Sequence, residues 1–251
     1  MERGYQHGFS EQGTAMFDVD KRQRKAGTMV AVLKEQTGKD LSKLSALNVG
    51  GSAGIIDDYL SRHFGHVTGI DIDETAIAHA RENYQNDNLT FELGDAMNLQ
   101  YPDDTFDVAV CSQVYEHVPD AGTMMQEIFR VLKPGGVCYF AAGNRLMFNE
   151  PHYNLPLLSV IPRPLAHLYM KLTGKGSHYS EKHLSYWGLK KLVRRFETTD
   201  YTRPIILDPG RFDAGYMVKP GSLKQRIASL LATWFIWLVP GYIWILRKPA
   251  G

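Results

Sequence analysis

A glycine turn followed by a carboxylate gives the clearest indication of chemistry in this sequence. Gly50, Gly51 and Gly54 come after an apolar run, and Asp71 stands at the end of the next one. Because glycine has no Cβ, such a turn adopts positive φ angles and lets a ligand approach the backbone at a helix N-terminus. A carboxylate after the next strand is placed to accept hydrogen bonds from two ribose hydroxyls. The pattern therefore predicts a cofactor that contains adenosine.

The spacing of the glycines indicates which cofactor is bound. A dinucleotide site uses Gly-x-Gly-x-x-Gly, because the pyrophosphate sits on the helix N-terminus. No stretch around residues 50–54 has that spacing. A nicotinamide-dependent oxidoreductase, which would bind NADH, is therefore the weaker alternative.

Four sequence elements in order carry a family resemblance over roughly residues 45–145. They are the turn Asn48-x-Gly50-x-Ser52-x-Gly54, the strand end Leu93-Gly94-Asp95-Ala96, an apolar strand at residues 106–113 and the helix end at residues 130–136. This order resembles the class I S-adenosylmethionine-dependent methyltransferases, with Asn48 in place of the usual acid and Ser52 in place of the middle glycine. The resemblance implies an α/β fold with a Rossmann-like, mostly parallel seven-stranded sheet and helices on both faces.

The resemblance also implies which residues hold S-adenosyl-L-methionine. The glycine turn would lie under the methionine moiety, and Asp71 would hold the ribose. Asp95 would read the adenine edge, and Gln113 would lie beside the sulfonium. The predicted cofactor residues are Gly50, Gly51, Ser52, Gly54, Asp71, Ile72, Asp95, Ala96 and Gln113.

The residues after the fourth strand bear on what is methylated. Methylation of an adenine or cytosine amino group typically uses Asp/Asn-Pro-Pro-Tyr/Phe there, whereas this chain has Ser112-Gln113-Val114-Tyr115-Glu116-His117. The run is similar to the Glu-x-x-Glu-His of ubiquinone-type O-methyltransferases, whose side chains lie near the acceptor and can hold a divalent metal. Gln113 replaces the first glutamate, so no metal is predicted. His117, with Glu116 beside it, is expected as the general base, because an oxygen nucleophile must lose its proton; the alternative is a histidine packed under the cofactor.

Two further histidines lie after the fifth strand. His152 and His178 each precede a tyrosine, and Glu150 is close to the first of them. Residues 145–185 contain four prolines among bulky apolar residues, which indicates a lid and not a further β/α repeat. His152 and His178 are therefore catalytic candidates, or residues that only pack the lid. The nine histidines show no paired spacing typical of a zinc site.

Composition and periodicity indicate the elements that must position these residues. The chain has 251 residues, 44% of them hydrophobic, which suffices for a buried core. Residues 1–17 are expected to form a flexible arm, and residues 18–36 a helix with Asp18 or Asp20 as N-cap and Gly38 as terminator.

Beyond that helix, the pattern predicts a parallel sheet and two additions. Strands and helices alternate over residues 46–144. The remaining predicted elements are a helix at residues 186–196, a strand at 198–206 and a last, antiparallel strand at 242–246. The predicted units are an arm and helix at residues 1–40 and a methyltransferase domain at 41–251, which includes the lid at 145–185 and a hydrophobic and basic insertion at 207–241.

Charge is distributed unevenly along the chain, although the net charge is only +1. Residues 1–144 contain 12 lysines and arginines against 21 acidic residues, and residues 145–251 contain 16 against 6. A basic C-terminal half favours an anionic partner, such as a membrane surface, a phosphate-bearing substrate or nucleic acid. The alternative is a solvated basic face without a partner.

An uncharged segment at residues 227–246 helps to choose among these partners. It contains three of the four tryptophans and has basic residues on both sides. Its length just reaches the ~20 residues that span a bilayer, but Pro240 and Gly241 would break such a helix. We expect either a buried helix followed by the last strand or an interfacial helix with tryptophans at headgroup depth, and a membrane span is the third alternative.

These patterns together predict an enzyme that transfers methyl from S-adenosyl-L-methionine to an oxygen of a hydrophobic or lipid-linked small molecule. An anionic membrane surface is a possible further partner, and nucleic acid is not expected. An RNA methyltransferase, suggested only by the basic half, and an inactive cofactor-binding protein, suggested by Asn48 and Ser52, stay open. Cys111 and Cys138 fall in predicted buried strands, which indicates a reducing compartment and too few thiolates for iron–sulfur radical chemistry. We expect a cytoplasmic protein without a signal peptide. The alternative is a peripheral position at the inner face of a membrane.

Overall fold

The structure is a computed structural model that describes residues 7–8 and 14–251. The predicted arm at residues 1–17 therefore lies largely outside the described residues, and its last part forms the short 3-10 turn Thr14–Phe17. The predicted boundary between residues 40 and 41 stays a prediction.

The described chain forms nine strands and eight α-helices. The strands are β1 (Ser45–Val49), β2 (His66–Asp71), β3 (Leu89–Leu93), β4 (Phe106–Ser112), β5 (Leu132–Gly143), β6 (Asn149–Glu150), β7 (Leu155–Pro156), β8 (Glu197–Asp200) and β9 (Gly241–Arg247). The helices are α1 (Val19–Thr37), α2 (Ile55–Ser61), α3 (Glu74–Asn83), α4 (Ala121–Val131), α5 (Arg163–Leu172), α6 (Tyr186–Leu192), α7 (Thr202–Leu207) and α8 (Leu223–Trp234).

Seven of the strands form one sheet in the order β3-β2-β1-β4-β5-β9-β8. Strands β1 to β5 pair in parallel, and β9 runs antiparallel between β5 and β8. The order reverses at β1, so β1 and β4 diverge into separate crossovers and leave a crevice at their carboxyl ends. The predicted α/β class, with its mostly parallel seven-stranded sheet, is confirmed, and so is an antiparallel last strand beside the fifth.

Side chains that alternate along the strands build a core on each face of this sheet. Leu47 and Val49 of β1 belong to the core that includes Met124 of α4, whereas Ala46 belongs to the opposite core with Leu33 of α1. This two-residue period is what a strand buried on both faces requires. Helices on both faces therefore hold the strand ends in place.

Helix α1 begins and ends as its sequence predicts. The Asp18 side chain accepts a hydrogen bond from the Lys21 N–H at 3.0 Å, and Gly38 adopts the left-handed conformation at the C-terminus. Both features are standard helix signals. The helix packs Met29 and Leu33 into the core on one face of the sheet.

The strand predicted at residues 198–206 is only partly correct. Strand β8 ends at Asp200, and residues 202–207 form helix α7. The Asp200 carboxylate accepts a hydrogen bond from the Thr202 N–H at 2.9 Å, which turns the chain, and Pro204 is tolerated in the first turn of a helix. The helix predicted at residues 186–196 also ends early, at Leu192.

The predicted lid contains more regular structure than its prolines indicate. Strands β6 and β7 form a small antiparallel hairpin, and helix α5 follows with Pro162 as its N-cap residue and Pro164 within its first turn. Proline fits these positions because the first N–H groups of a helix have no partner inside it. The segment therefore has its own small core around Leu158 and Met170.

The segment at residues 227–246 divides into three elements. Helix α8 ends at Trp234, a 3-10 turn covers Ile236–Leu238, and β9 begins at Gly241. In the part of the chain that the structure describes, no helix is both long enough and apolar enough to cross a membrane. The predicted buried helix is also wrong, because Ala232 is the one residue of α8 that is buried.

Candidate active site

The glycine turn joins β1 to α2 and folds back over the end of β2. The N–H groups of Gly50 and Gly51 donate to the carbonyl of Ile70 at 2.9 and 2.8 Å. Gly54 has φ 82° and a Cβ there would lie 2.7 Å from the Cβ of Ala80. The predicted turn therefore needs glycine both for its φ angle and for close packing.

Asp71 lies at the carboxyl end of β2, against this turn. Its carboxylate accepts hydrogen bonds from the Ser52 N–H at 2.8 Å and from the Asp73 N–H at 3.0 Å. Burial raises the pKa of this carboxyl group, and the two backbone donors oppose that rise. The structure therefore brings two of the predicted cofactor residues, Ser52 and Asp71, into contact.

The second predicted carboxylate, Asp95, follows the neighbouring strand. Strands β2 and β3 pair with Asp71 opposite Leu93, and the Gly94 N–H donates to the Asp71 carbonyl at 2.9 Å. The Asp95 side chain accepts from the Met97 N–H at 2.8 Å. The two carboxylates therefore lie on adjacent strand ends at one edge of the sheet, with Ile72 and Ala96 beside them in sequence.

Asn48 and Asp57 form a buried pair that the sequence did not reveal as part of the site. The Asn48 Nδ2 donates to Asp57 Oδ1 at 2.9 Å. A Cβ at Gly51 would lie 2.9 Å from the Asp57 carboxylate, so this side chain packs directly under the turn. Burial raises the pKa of Asp57 to about 7, despite the hydrogen bond from Asn48. A carboxyl group from α2 thus stands next to the position where the resemblance expects an acid.

Arg22 of α1 is a second residue missed by the sequence reasoning. Burial lowers the pKa of its guanidinium group, and the charges of Asp57 and Asp71 partly offset that effect. Its Nε is buried and makes no hydrogen bond to any described residue. No sequence signal could have singled out this arginine, because a basic residue on a helix is usually solvent-exposed.

The acceptor side begins where β4 ends. Gln113 is exposed with φ 59°, and its N–H donates to the Ala141 carbonyl at 2.8 Å. The Glu116 carbonyl accepts from the Lys182 N–H at 3.1 Å, and the Tyr115 hydroxyl accepts from the Leu184 N–H at 3.1 Å. The residues around position 183 are therefore held against the loop that carries Glu116 and His117.

Three histidines and a glutamate meet beside that loop. Glu150 Oε1 lies 2.5 Å from His152 Nδ1 and 3.3 Å from His183 Nε2. The rings of His117 and His152 have centroids 4.8 Å apart, in an edge-to-face arrangement. We call His117, Glu150, His152 and His183 the His–Glu cluster.

The charges in the His–Glu cluster support one another. Burial alone would raise the pKa of Glu150, but hydrogen bonds from His152 and His183 lower it to about 2. Burial alone would lower the pKa of His152, but Glu150 raises it. The Glu150 carboxylate is therefore ionised and favours a proton or another cation on the His152 imidazole.

The structure brings together some of the predicted catalytic residues and separates another. His117, Glu116 and His152 share the region around the cluster. His178 is exposed, and its ring stacks on His167 with centroids 4.1 Å apart. His183 was not predicted, because it lies 33 residues from Glu150 and no spacing rule connects the two.

Comparisons with known proteins agree with this geometry. A family model described as a methyltransferase domain matches residues 47–140. The ubiquinone biosynthesis O-methyltransferase of Pseudomonas fluorescens (strain Pf0-1) is 30% identical over 168 residues, which cover 65% of this chain and 64% of that protein. The chain thus spans 64% of the length of this curated relative.

Two solved structures show the same fold. An S-adenosylmethionine-dependent methyltransferase from Mesorhizobium loti superposes with a TM-score of 0.54 at 17% identity, covering 84% of this chain and 93% of that one. A geranyl diphosphate C-methyltransferase from Streptomyces coelicolor A3(2), solved with Mg²⁺, geranyl diphosphate and S-adenosyl-L-homocysteine, gives 0.51 at 12% identity, covering 88% and 76%.

The family match covers the glycine turn and the strand ends that carry Asp71 and Asp95. S-adenosyl-L-methionine is the cofactor of this family. Residues 47–140 of this chain therefore match a methyltransferase domain, and the sheet has the fold of the class I S-adenosylmethionine-dependent methyltransferases.

Proposed function

We propose that this chain transfers the methyl group of S-adenosyl-L-methionine to an oxygen of a hydrophobic or lipid-linked small molecule. The observation that carries the proposal is the His–Glu cluster, which lies after β4 and β5 at the same edge of the sheet as the glycine turn. A hydroxyl must lose its proton as it attacks, and imidazoles beside a buried carboxylate are suited to accept that proton. The curated relative named as an O-methyltransferase supports an oxygen acceptor.

The proposed reaction is an in-line displacement. The acceptor oxygen attacks the methyl carbon, the bond from that carbon to the sulfonium sulfur breaks, and S-adenosyl-L-homocysteine leaves as a neutral thioether. The hydroxyl proton passes to His117, the proposed general base. Alignment of donor and acceptor and the exclusion of water supply most of the rate enhancement.

The cofactor side of the proposal uses the residues that the turn brings together. Asp71 is proposed to exchange part of its present backbone contacts for the ribose hydroxyls, and Asp95 to face the adenine amino group. Ile72 and Ala96 would pack against the base, and Gln113 would lie at the sulfonium end. Arg22, half-buried near Asp71, is suited to hold the methionine carboxylate.

Helix α8 supports an amphiphilic acceptor. Leu223, Ile227, Leu230 and Trp234 follow one another at intervals of four, three and four residues, and each is between 54% and 76% exposed. Side chains at this spacing share one face of a helix. Outward-facing apolar residues in such a contiguous stripe typically mark an interaction surface.

Basic residues beside the exposed apolar side chains favour an anionic membrane as the partner of α8. Lys224 and Arg226 lie on the same helix. The segment after α8 is held at the carboxyl end of β5, because Asn144 Nδ2 donates to the Trp237 and Val239 carbonyls at 2.8 Å. Helix α5 has a similar exposed stripe of leucines next to Arg163 and Lys171. Apolar and basic residues together are the combination that binds anionic lipid surfaces. A protein bound to a membrane through α8 and α5 would receive its acceptor from the bilayer.

The test of the proposed function is methyl transfer from radiolabelled S-adenosyl-L-methionine to a prenylated catechol carried in phosphatidylglycerol vesicles. We expect transfer to the catechol oxygen, and we expect His117→Gln to lower kcat by about 10²–10⁴-fold at saturating cofactor. His66→Gln, which changes an exposed histidine at the start of β2, is the matched control and should leave kcat unchanged. Cofactor binding without transfer to any hydroxylated acceptor would contradict the proposal and favour an inactive binding protein.

A further inference from the structure

Three side chains of the His–Glu cluster form a candidate metal site. Glu150, His152 and His183 each offer one ligand atom, and these atoms all lie within 4.8 Å of one another. We infer that Glu150 Oε1, His152 Nδ1 and His183 Nε2 bind a divalent transition-metal ion. Only the role suggested for this ion below depends on the proposed function; its binding does not.

The distances suit an ion after a small outward shift. His152 Nδ1 and His183 Nε2 lie 2.5 and 3.3 Å from the same carboxylate oxygen. Bonds from zinc to nitrogen and oxygen are about 2.0–2.2 Å long, so the ligand atoms around a tetrahedral ion lie about 3.4 Å apart. The His183 pair is already near that separation, and the His152 pair needs to open by roughly one ångström. Without an ion, both rings direct a nitrogen at one carboxylate oxygen, where a cation can take the place of their protons.

Surrounding hydrogen bonds orient the Glu150 carboxylate and hold the backbone on either side of His183. Glu150 Oε2 accepts from the Tyr153 N–H at 3.0 Å, which fixes the carboxylate at the end of β6. The neighbours of His183 on either side are tied to the loop after β4 through Lys182 and Leu184. A carboxylate already oriented by such an outer contact loses little freedom on binding a metal.

The ligand set differs from the one that the family resemblance suggests. In the Glu-x-x-Glu-His pattern, metal ligands come from the loop after the fourth strand, and Gln113 removes one of those carboxylates here. The three ligands inferred here come instead from residues 150–183, in the segment after β5. Two imidazoles and one carboxylate favour Zn²⁺, Co²⁺ or Fe²⁺ over Mg²⁺ and Ca²⁺, which prefer oxygen ligands.

Three protein ligands leave positions open for a substrate oxygen. Bound there, a hydroxyl would have its pKa lowered by the ion, so that His117 could remove the proton more readily. His117 is not among the three ligands, and its ring lies 4.8 Å from that of His152.

The experiment is a titration of the full chain with Co²⁺, followed by visible absorption, and with Zn²⁺, followed by calorimetry, without cofactor or acceptor. We expect one equivalent to bind. His183→Gln and the less buried His152→Gln should each weaken binding by at least about 100-fold, because each removes a direct ligand. His178→Gln, a histidine of the same segment that stacks on His167, is the matched control and should bind as the unsubstituted protein does.

Calorimetry with S-adenosyl-L-methionine is repeated on every variant. Normal cofactor binding shows that the variant is folded, so that failure of the metal site can be distinguished from failure of the proposed function. Normal cofactor binding without stoichiometric Co²⁺ or Zn²⁺ binding would overturn the metal site and leave the proposed function standing. Metal binding that survives equally in His183→Gln and His152→Gln would also overturn the site. Metal binding at the expected residues without any methyl transfer would instead overturn the proposed function alone.

Discussion

At the scale of single residues, a carboxyl group reaches the glycine turn from helix α2 and not from strand β1. Asn48 occupies the motif position and donates its side-chain N–H to Asp57 at 2.9 Å. Asp57 is fully buried, and burial raises its pKa to about 7. The departure from the family motif at position 48 is therefore accompanied by an acid only nine residues further on.

The raised pKa of Asp57 makes stability depend on pH. The carboxyl group has a pKa near 3.8 when unfolded and about 7 when folded, so folding favours its protonated form. The free energy of unfolding should therefore fall as the pH rises from about 4 to about 7, and then stay level. Asp57→Asn removes this titration and should be more stable than the unsubstituted protein at pH 8, on the order of 4 kcal/mol, with little difference at pH 4.

Urea unfolding of the cofactor-free protein at several pH values measures this difference. Asp87→Asn changes an exposed acid in the loop before β3 and serves as control. A constant difference between Asp57→Asn and the unsubstituted protein across this pH range would show that Asp57 is ionised in the folded state, contrary to our expectation.

Gly54 tests whether the turn needs close packing in addition to a positive φ. A Cβ at Gly54 would meet Ala80 at 2.7 Å, whereas a Cβ at Gly174, whose φ is 68°, would meet nothing within 4 Å. Both alanine substitutions carry the left-handed penalty of about 1 kcal/mol, but Gly54→Ala adds an overlap in the core. We expect Gly54→Ala to lower the thermal midpoint more than Gly174→Ala and to weaken cofactor binding. Equal midpoints for the two variants would contradict the packing argument.

The sequence indicated the residues of the turn but not those that reach it from a distance. Gly54 and Asp71 follow from local spacing, because a turn and the next strand end are close in sequence. Arg22 and His183 depend on which helix and which loop the fold places over the site, and their residue types alone carry no such information. The turn and the neighbouring strand end could therefore be predicted, and the residues that approach them from other elements could not.

At the scale of elements, helix α8 differs from an ordinary surface helix, whose apolar face points toward the core. Its apolar stripe faces outward, and only Ala232 is buried. The sequence showed an uncharged segment, but no local pattern could decide whether its apolar face would be covered. Whether this face is covered depends on how α7 and β9 pack around α8.

Binding to vesicles tests the surface formed by α8. We expect the unsubstituted protein to sediment with phosphatidylglycerol vesicles and to be released by salt, because the lysine and arginine contacts are screened. The variant Ile227→Ser with Leu230→Ser and Trp234→Ser should lose most of this binding, since it removes three outward-facing side chains.

The control removes exposed apolar side chains elsewhere. Val19→Ser with Leu93→Ser changes α1 and β3, outside α8. Vesicle binding that falls equally in both variants, or that survives in the α8 variant, would count against the proposed membrane surface.

Other elements show where sequence signals were sufficient. Helix α1 has a capping aspartate and a terminal glycine, and both of its ends were predicted within one residue. The strand predicted at residues 198–206 was not, because the Asp200 side chain binds the Thr202 N–H and starts a helix within an apolar, β-prone run. Helix caps depend on neighbouring residues and can be predicted from the sequence. The change from strand to helix after β8 instead depends on the Asp200 side chain, which competes with the sheet for the Thr202 N–H.

At the scale of the whole molecule, the sheet order determines where the two halves of the chain meet. The acidic half contributes the turn and the carboxylates at the ends of β2 and β3, and the basic half contributes Glu150, His183 and the exposed helices. Because β9 inserts beside β5, the segment after α8 is brought to the same edge of the sheet as the glycine turn. The proposed reaction requires that arrangement, with the cofactor on one side and the acceptor on the other.

The central claim is that the glycine turn and Asp71 bind S-adenosyl-L-methionine. Calorimetric titration with this cofactor tests the claim most directly. We predict one site per chain, no binding of NADH, and at least about 100-fold weaker binding by Asp71→Ala, which loses two hydrogen bonds from ribose to a charged group. Asp87→Ala, at an exposed acid, should bind as the unsubstituted protein does. A chain that folds but binds neither S-adenosyl-L-methionine nor its demethylated product, or an Asp71→Ala variant that binds equally well, would contradict the account.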